Sequence, residues 1–300
     1  MEIRPAPGDD DVSIGIWNTV KPDQAMAPAD VASYKSGVAH FGAFLAYDSD
    51  EAVGEAHCAI EAGQGLARGN LSVLPHARRR GAGSALLAAL SDWTAERGET
   101  IFATSVSDGD EDSLAWIQSR GFSETGRESR LELDLASIEA PAVDPPPGIE
   151  IVTWAERPEL TVGMYQVACE AYVDVPGEED RVMESLEDWL AHDLGGSGDK
   201  PEWTFVALEG DEVVGYAKFS MTTAQPDVAF HDITGVRRAW RGRGIAGALK
   251  RAEIAWAKQN GYRVARTMNE ERNTPIRILN QRLGYTLAPG RIFLRGPVKP

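Results

Sequence analysis

Residues 232 to 250, DITGVRRAWRGRGIAGALK, carry the densest chemistry in the chain. Arg237, Arg238, Arg241 and Arg243 surround two glycines, Gly242 and Gly244. A short apolar run, Ile233 to Val236, precedes this turn, and an Ala/Leu-rich stretch begins near Ile245. Strand, glycine turn and helix in that order leave amide N–H groups unpaired at a helix start, where the dipole favours negative charge. With guanidinium groups around it in an acidic chain, the turn has phosphate as its natural guest. A weaker copy stands at residues 71 to 90, LSVLPHARRRGAGSALLAAL. Cys169 could serve as a nucleophile in principle, but no histidine pairs with it by sequence. Cys58 and Cys169 are the only cysteines, one in each half, and make neither a disulfide framework nor a metal cluster.

The elements that must position the turn recur. In the first half, GAFLAY and AVGEAHCAI flank the turn DSDE as a hairpin, and Asn70 to Leu74 reads as a strand. After the turn, Ala82, Leu86, Leu90 and Trp93 fall on one face of a helix. A strand from Ile101 to Val106, a short helix from Ser113 to Ser119 and a last strand from Arg130 to Leu135 follow. The second half repeats this order. A strand at Glu150 to Trp154 precedes helices at Leu160 to Ala171 and Arg181 to Leu194, the latter with Val182, Leu186, Trp189 and Leu190 as its apolar face. A hairpin around EGDE leads to the strand Val228 to Val236 and to a helix with Ile245, Leu249, Ala252 and Trp256 aligned. A strand at Arg263 to Met268, a short helix at Thr274 to Arg282 and strands at Tyr285 to Leu287 and Ile292 to Arg295 end the chain. A shift of 163 residues lays Val73 on Val236, Arg78 on Arg241, Gly81 on Gly244 and Gly121-Phe122 on Gly284-Tyr285. That internal repeat implies two copies of one α/β fold.

Three hundred residues suit two domains of ordinary size. The proline-rich segment ASIEAPAVDPPPG places the boundary, giving domains at 1–138 and 149–300 with a linker at 139–148. The net charge is −16; residues 1–148 hold 11 Lys/Arg against 24 Asp/Glu, residues 149–300 hold 19 against 22. This balance argues against nucleic acid, whose binding rests on phosphate neutralisation, and suits a cationic, amine-bearing substrate. No apolar run spans a bilayer, and MEIRPAPGDDD lacks the basic-then-apolar order of a signal peptide, so a cytoplasmic protein is expected.

On these residues the chain resembles the GNAT superfamily of N-acetyltransferases. The superfamily's acyl-CoA signature, Arg/Gln-x-x-Gly-x-Gly/Ala after a strand ending in Val, stands twice: Arg241-Gly242-Arg243-Gly244-Ile245-Ala246, and Arg78-Arg79-Arg80-Gly81-Ala82-Gly83. Val73-x-Pro75 precedes the first copy, while Asn273 and Gly284-Tyr285 resemble the superfamily's second segment. The tandem layout is similar to that of the mycothiol synthase type. The resemblance implies a mixed α/β (α+β) fold: two tandem domains, each with a central, mostly antiparallel sheet flanked by helices. It also implies acetyl-CoA as acyl donor and no metal. Ile233, Thr234, Val236, Arg237, Arg241, Gly242, Arg243, Gly244, Ile245 and Ala246, with Asn273 and Asn280, would hold the donor. A second donor site would comprise Val73, Arg78, Arg79, Arg80, Gly81, Ala82 and Gly83.

The superfamily's usual base position is Phe230 here, so the proton acceptor moves to Asp232, on the same strand face as Phe230; His231 is the alternative. The usual tyrosine acid is replaced by Asn280. In the first half the equivalent positions are Gly69, Ala67 and Ile117, with Asp110 in place of Asn273. The N-terminal copy is therefore expected to be catalytically silent. Asp174, Glu178 and Glu179, in the acidic loop where the superfamily's acceptor segment falls, are candidates for holding an ammonium group. The resulting expectation is transfer of acetyl from acetyl-CoA to a primary amine of a small molecule by direct attack in a ternary complex. The protein would work as a monomer or homodimer, without nucleic acid or membrane. Alternatives are an antibiotic-modifying or biosynthetic acyltransferase using another acyl-CoA, and a non-catalytic acyl-CoA sensor or scaffold.

Overall fold

A computed structural model describes residues 1–6, 8, 10–61, 65–176 and 181–298. The chain forms two compact units: Met1–Arg127 with Arg291–Pro300, and Glu128–Gly290.

In the first unit β1 (Glu2–Pro5) leads into α1 (Asp10–Val20) and α2 (Pro28–Ser36). The stretch between β1 and the first hairpin is helical because its acids sit where helix starts want them. Asp10 and Asp11 occupy the first turn of α1, and the Asp30 carboxylate accepts from Ala27 N–H at 2.8 Å ahead of α2. The hairpin β2 (His40–Asp48) and β3 (Glu51–Ile60) follows, then β4 (Ala67–Val73), α3 (Ala82–Ala95), β5 (Ile101–Ser107) and α4 (Glu111–Gln118). Asp110 caps α4, accepting from Ser113 N–H at 3.0 Å. Strand alternation divides β3 between two faces. Ala56 and Cys58 join the core with Ala82, Leu86 and Leu90 of α3, whereas His57 meets the Trp17 ring of α1 at 5.4 Å.

The chain continues through β6 (Ser123–Asp134), β7 (Ile149–Thr153), α5 (Thr161–Ala171), α6 (Leu186–Asp193), β8 (Thr204–Glu209), β9 (Glu212–Ser220) and β10 (Val228–Val236). It ends with α7 (Ile245–Gln259), β11 (Val264–Glu270), α8 (Thr274–Arg282) and β12 (Thr286–Pro297). Strand order in the first unit is β1-β2-β3-β4-β5-β12, and in the second β6-β11-β10-β9-β8-β7. Pairing is antiparallel except for β4 with β5 and β10 with β11, which are parallel. Each sheet is thus mixed but mostly antiparallel. Both helices that follow a glycine turn use the face their spacing predicts: Ile245, Leu249 and Ala252 of α7 are buried against β8 and β9 residues.

Two features depart from the sequence reading. The strand at 130–135, read as the end of the first half, lies in the second unit, where residues 128–134 pair with β11. Residues 291–297 pair with β5 in the first unit. Leu131, Leu133, Ile292 and Leu294 are all buried, so either stretch has the alternation a half-buried strand needs. Local pattern does not choose between sheets. Residues 139–148 accordingly fall within the second compact unit. The other departure is α6, which starts at Leu186 because Ser185 caps it, its Oγ accepting from Asp188 N–H at 3.1 Å. Val182 therefore precedes the helix and is 91% exposed, while Trp189 is buried.

Candidate active site

The second unit's site begins with a fork. Parallel pairing of β10 with β11 ends at His231 opposite Thr267, and β10 then runs on to Val236. At that point β10 also slips against β9: His231 faces Phe219 and Ile233 faces Lys218, leaving Asp232 as an extra, bulged residue. The bulge turns the Asp232 carboxylate outward, and it is 38% exposed.

Asp232 does not stand alone. Its Oδ2 lies 2.6 Å from Lys218 Nζ, and the same ammonium reaches Asp199 Oδ1 at 2.7 Å. Burial disfavours the Lys218 ammonium, but attraction from Asp232, Asp193 and Asp199 more than offsets it and raises its pKa. Tyr172 Oη donates to Asp193 Oδ1 at 2.5 Å. Burial raises the pKa of Asp193 and of Asp199. Tyr216 brings a fully buried phenol within the field of Asp193 and Asp232. Helix α5 delivers Tyr172 because Gly235 lets it come close: a Cβ at Gly235 would lie 2.9 Å from Ala171 Cβ. Three carboxylates thus surround one lysine in this cluster. Sequence reasoning missed Lys218, Asp193, Asp199, Tyr172 and Tyr216. The available signal was the solitary lysine in the apolar strand VVGYAKFS.

His231 belongs to a different environment. It is buried on the side of the sheet beneath α7, with Nδ1 2.9 Å from Glu253 Oε2 and its ring 4.5 Å from that of Phe219. Burial, with repulsion from Lys250, pushes its pKa well below the usual range. Burial also lifts Glu253 to about 8 and lowers Lys250 to about 8. His231, the alternative proton acceptor, is thus enclosed beneath α7 with Glu253, whereas the Asp232 side chain is 38% exposed.

The turn that follows has the geometry of an anion cradle. Gly242 and Gly244 take φ of 76° and 89°, a region closed to most side chains. The first bond of α7 runs from Ala248 N–H to Gly244 C=O at 3.1 Å, so the amides ahead of it, including those of Ile245 and Ala246, have no acceptor in the helix. Arg241 Nε braces the turn by donating to Val236 C=O at 2.8 Å. The arginines do not face a common guest. Arg237 pairs with Glu170 at 3.1 Å and Glu212 at 2.5 Å, and Arg243 with Glu209 at 2.5 Å. Arg238 and Arg241 both grip Asp174, at 2.7 and 2.6 Å. Hydrogen bonds from Arg238 first, then Arg241, hold Asp174 at about 2. Asp174, a candidate for gripping substrate, is thus occupied with the turn, and Glu178 and Glu179 lie outside the described residues. The amides of Ile245 and Ala246 are the groups of this turn that have no acceptor in the helix.

Across the fork, Asn280 is buried and its Nδ2 donates to Asn269 Oδ1 at 2.7 Å. Asn273 flanks α8 without a side-chain capping bond. Thr234 Oγ1 is buried without a partner.

The first unit repeats the turn bond for bond. Arg78 Nε donates to Val73 C=O at 3.1 Å, and Gly81 precedes α3 with φ of 92°; Ala82 is buried, and a Cβ at Gly83 would lie 3.5 Å from Trp116. Where the second copy has Gly242, Arg79 takes φ of 62° and pairs with Asp112 at 2.9 Å. Arg80 pairs with Asp48 at 2.7 Å. Strands β4 and β5 pair only at residues 67–68 with 102–103 and then part.

A forked parallel strand pair followed by a glycine turn and helix, present once in each unit, defines an acetyltransferase fold. The chain belongs to the acetyltransferase (GNAT) family, whose sequence profile matches residues 16–122 and 162–285. Among solved structures, a tandem GNAT protein from the clavulanic acid biosynthesis pathway aligns over 100% of this chain and 99% of its own, with TM-score 0.77 and 21% identity. A GCN5-related N-acetyltransferase from Sphaerobacter thermophilus aligns over 100% and 96%, with TM-score 0.78 and 20% identity. A glucosamine N-acetyltransferase region of a fungal multi-domain GH3 β-N-acetylglucosaminidase covers 98% of this chain and 38% of that one, with TM-score 0.72 and 17% identity. None of the curated proteins compared matches. Among the described residues, no helix is long and apolar enough to cross a membrane, and no group of His, Cys, Asp or Glu is placed to hold a metal ion.

Proposed function

We propose that the second unit transfers an acetyl group from acetyl-CoA to the primary amine of a small molecule, and that the first unit does not carry out this transfer. The observation that supports it most is the bulge at Asp232. It sets a carboxylate where β10 and β11 part, on the strand that ends in the turn with free amides. Acetyl-CoA fits this frame, since free amides at a helix start suit its phosphates, and it would supply an activated thioester carbonyl. The protein's own groups do the rest. Asp193, Asp199 and Asp232 attract an ammonium, and Lys218 fixes the Asp232 carboxylate. The bound ammonium first gives up one proton to water and attacks as the neutral amine. Asp232 Oδ1 is left to take the second proton as the nitrogen bonds to the acyl carbon and the C–S bond breaks, and CoA leaves as the thiolate, which takes a proton from water. The first unit has Gly69 and Ala67 at the corresponding strand positions, so β4 places no carboxylate there.

The test is release of free CoA thiol over a panel of small primary amines. Amine-dependent release is expected, with the acetylated amine detected by mass spectrometry. Tight binding of acetyl-CoA without thiol release for any amine would support a sensor instead.

A further inference from the structure

The first unit holds a cavity that the proposed transfer does not use. It lies between α1, α2 and the sheet face carrying Glu55 and His57, and measures about 230 Å³. That is somewhat smaller than the roughly 300–1,000 Å³ of pockets that enclose drug-sized ligands. Trp17, Tyr34 and Phe41 form aromatic walls, and Glu55 and Asp10 add carboxylates. No lysine or arginine is among the residues that line it.

Glu55 is the informative group. It is 1% exposed, its Oε2 lies 3.1 Å from His57 Nδ1, and its Oε1 is buried with no hydrogen-bond partner. A buried carboxylate oxygen without a donor is costly and calls for one. Asp10, by contrast, is already paired with Lys35 at 2.5 Å. The rim shows which donors these walls accept. Lys35 Nζ lies 4.8 Å from the Phe41 ring centre. Lys21 Nζ lies 4.0 Å from that of Trp17 and 3.4 Å from Asn70 Oδ1. Burial lowers Lys21 to about 8, while attraction from Glu55 works against that fall. Two of the three aromatic walls thus already hold an ammonium group by cation–π contact.

We infer that this cavity is a binding site for a compact organic amine, its ammonium directed to Glu55 and His57 and its apolar body packed against Trp17, Tyr34 and Phe41. Asn70 lines both this cavity and the cleft that opens between β4 and β5 beside Leu71, Phe102 and Trp116. A bound amine would therefore sit next to the first unit's own fork. The inference does not depend on transfer in the second unit, because binding is read without an acyl donor.

Calorimetric titration of the full chain with 2-phenylethylamine, and separately with 2-phenylethanol, tests it. The amine is expected to bind at least tenfold more tightly than the alcohol, and Glu55→Gln is expected to weaken the amine at least tenfold. Tyr34→Ala serves if Glu55→Gln does not fold, because Tyr34 is 43% exposed and its loss spares the core; it should weaken binding at least threefold. Absence of amine binding, equal affinity for the alcohol, or affinity within twofold of the original in the folded variants would overturn the assignment.

Discussion

Replacing Asp232 with asparagine is expected to lower kcat for amine-dependent thiol release by about 10²- to 10⁴-fold, the usual contribution of a positioned base. Asparagine keeps the shape of the side chain but cannot accept a proton. The fold should tolerate the change, since Asp232 is 38% exposed and Lys218 keeps Asp199 as a partner. Acetyl-CoA binding should stay within about twofold, because the turn amides that would hold it are untouched. Stopped-time thiol assays with a parallel binding titration separate the two effects. A kcat within threefold of the original would remove Asp232 from the proton-transfer role.

The second large effect is expected at Lys218. Lys218→Met removes the ammonium between Asp199 and Asp232 and leaves Asp199, 7% exposed, as a buried carboxylate without its cation. Breaking a buried pair in this way costs about 3–5 kcal/mol, or a fall of roughly 6–20 °C in Tm for a unit of this size. The pH dependence has a definite sign. Lys218 has a raised pKa in the folded chain, so its stabilisation is fully present below its ordinary value and is lost as pH rises through the folded one. The difference between the original and the variant should therefore shrink at strongly alkaline pH. It should also shrink toward acid, where the unpaired Asp199 takes up a proton. Thermal melts of both proteins across pH read this directly. The double variant Lys218→Met with Asp199→Leu should recover most of the loss, because apolar replacement of a buried pair is often close to neutral. A Tm for the single variant within 2 °C of the original would show that the pair does not hold this site together.

What could be read from the chain divides along the range of the interactions. The glycine turns were legible because a positive φ at Gly242 and Gly244 is a local demand, met by residue type at the position itself. The helices behind them were legible from periodicity. The arginines were not: Glu170, Asp174, Glu209 and Glu212 come from separate elements, and nothing in RRAWRGRG says that they neutralise it. A row of cations that reads as a phosphate site becomes a set of braces once those carboxylates arrive. Asp232 was reached by strand parity, but its outward turn comes from a one-residue slip against β9, and bulges leave no residue signature here. His231 shows the other side of the same point, since its burial beneath α7 depends on Glu253 and Lys250 arriving from the helix. Strand membership was the least legible feature. The stretches at 128–134 and 291–297 carry interchangeable alternation, so their sheets are chosen by the path of the chain.

The two glycine turns allow the central claim to be tested in a single assay. Gly244→Val places a branched side chain at φ of 89°, and Gly81→Val does the same at 92°. Each strains one turn and leaves the other unit unchanged. Thiol release from acetyl-CoA in the presence of an accepted amine is then compared for the two full-length variants. The account predicts that Gly244→Val loses activity by at least about 100-fold, as expected when positioning of the donor is spoiled, while Gly81→Val keeps activity within about twofold. Loss of activity in folded Gly81→Val with activity retained in Gly244→Val would contradict it, and would place the transfer in the first unit.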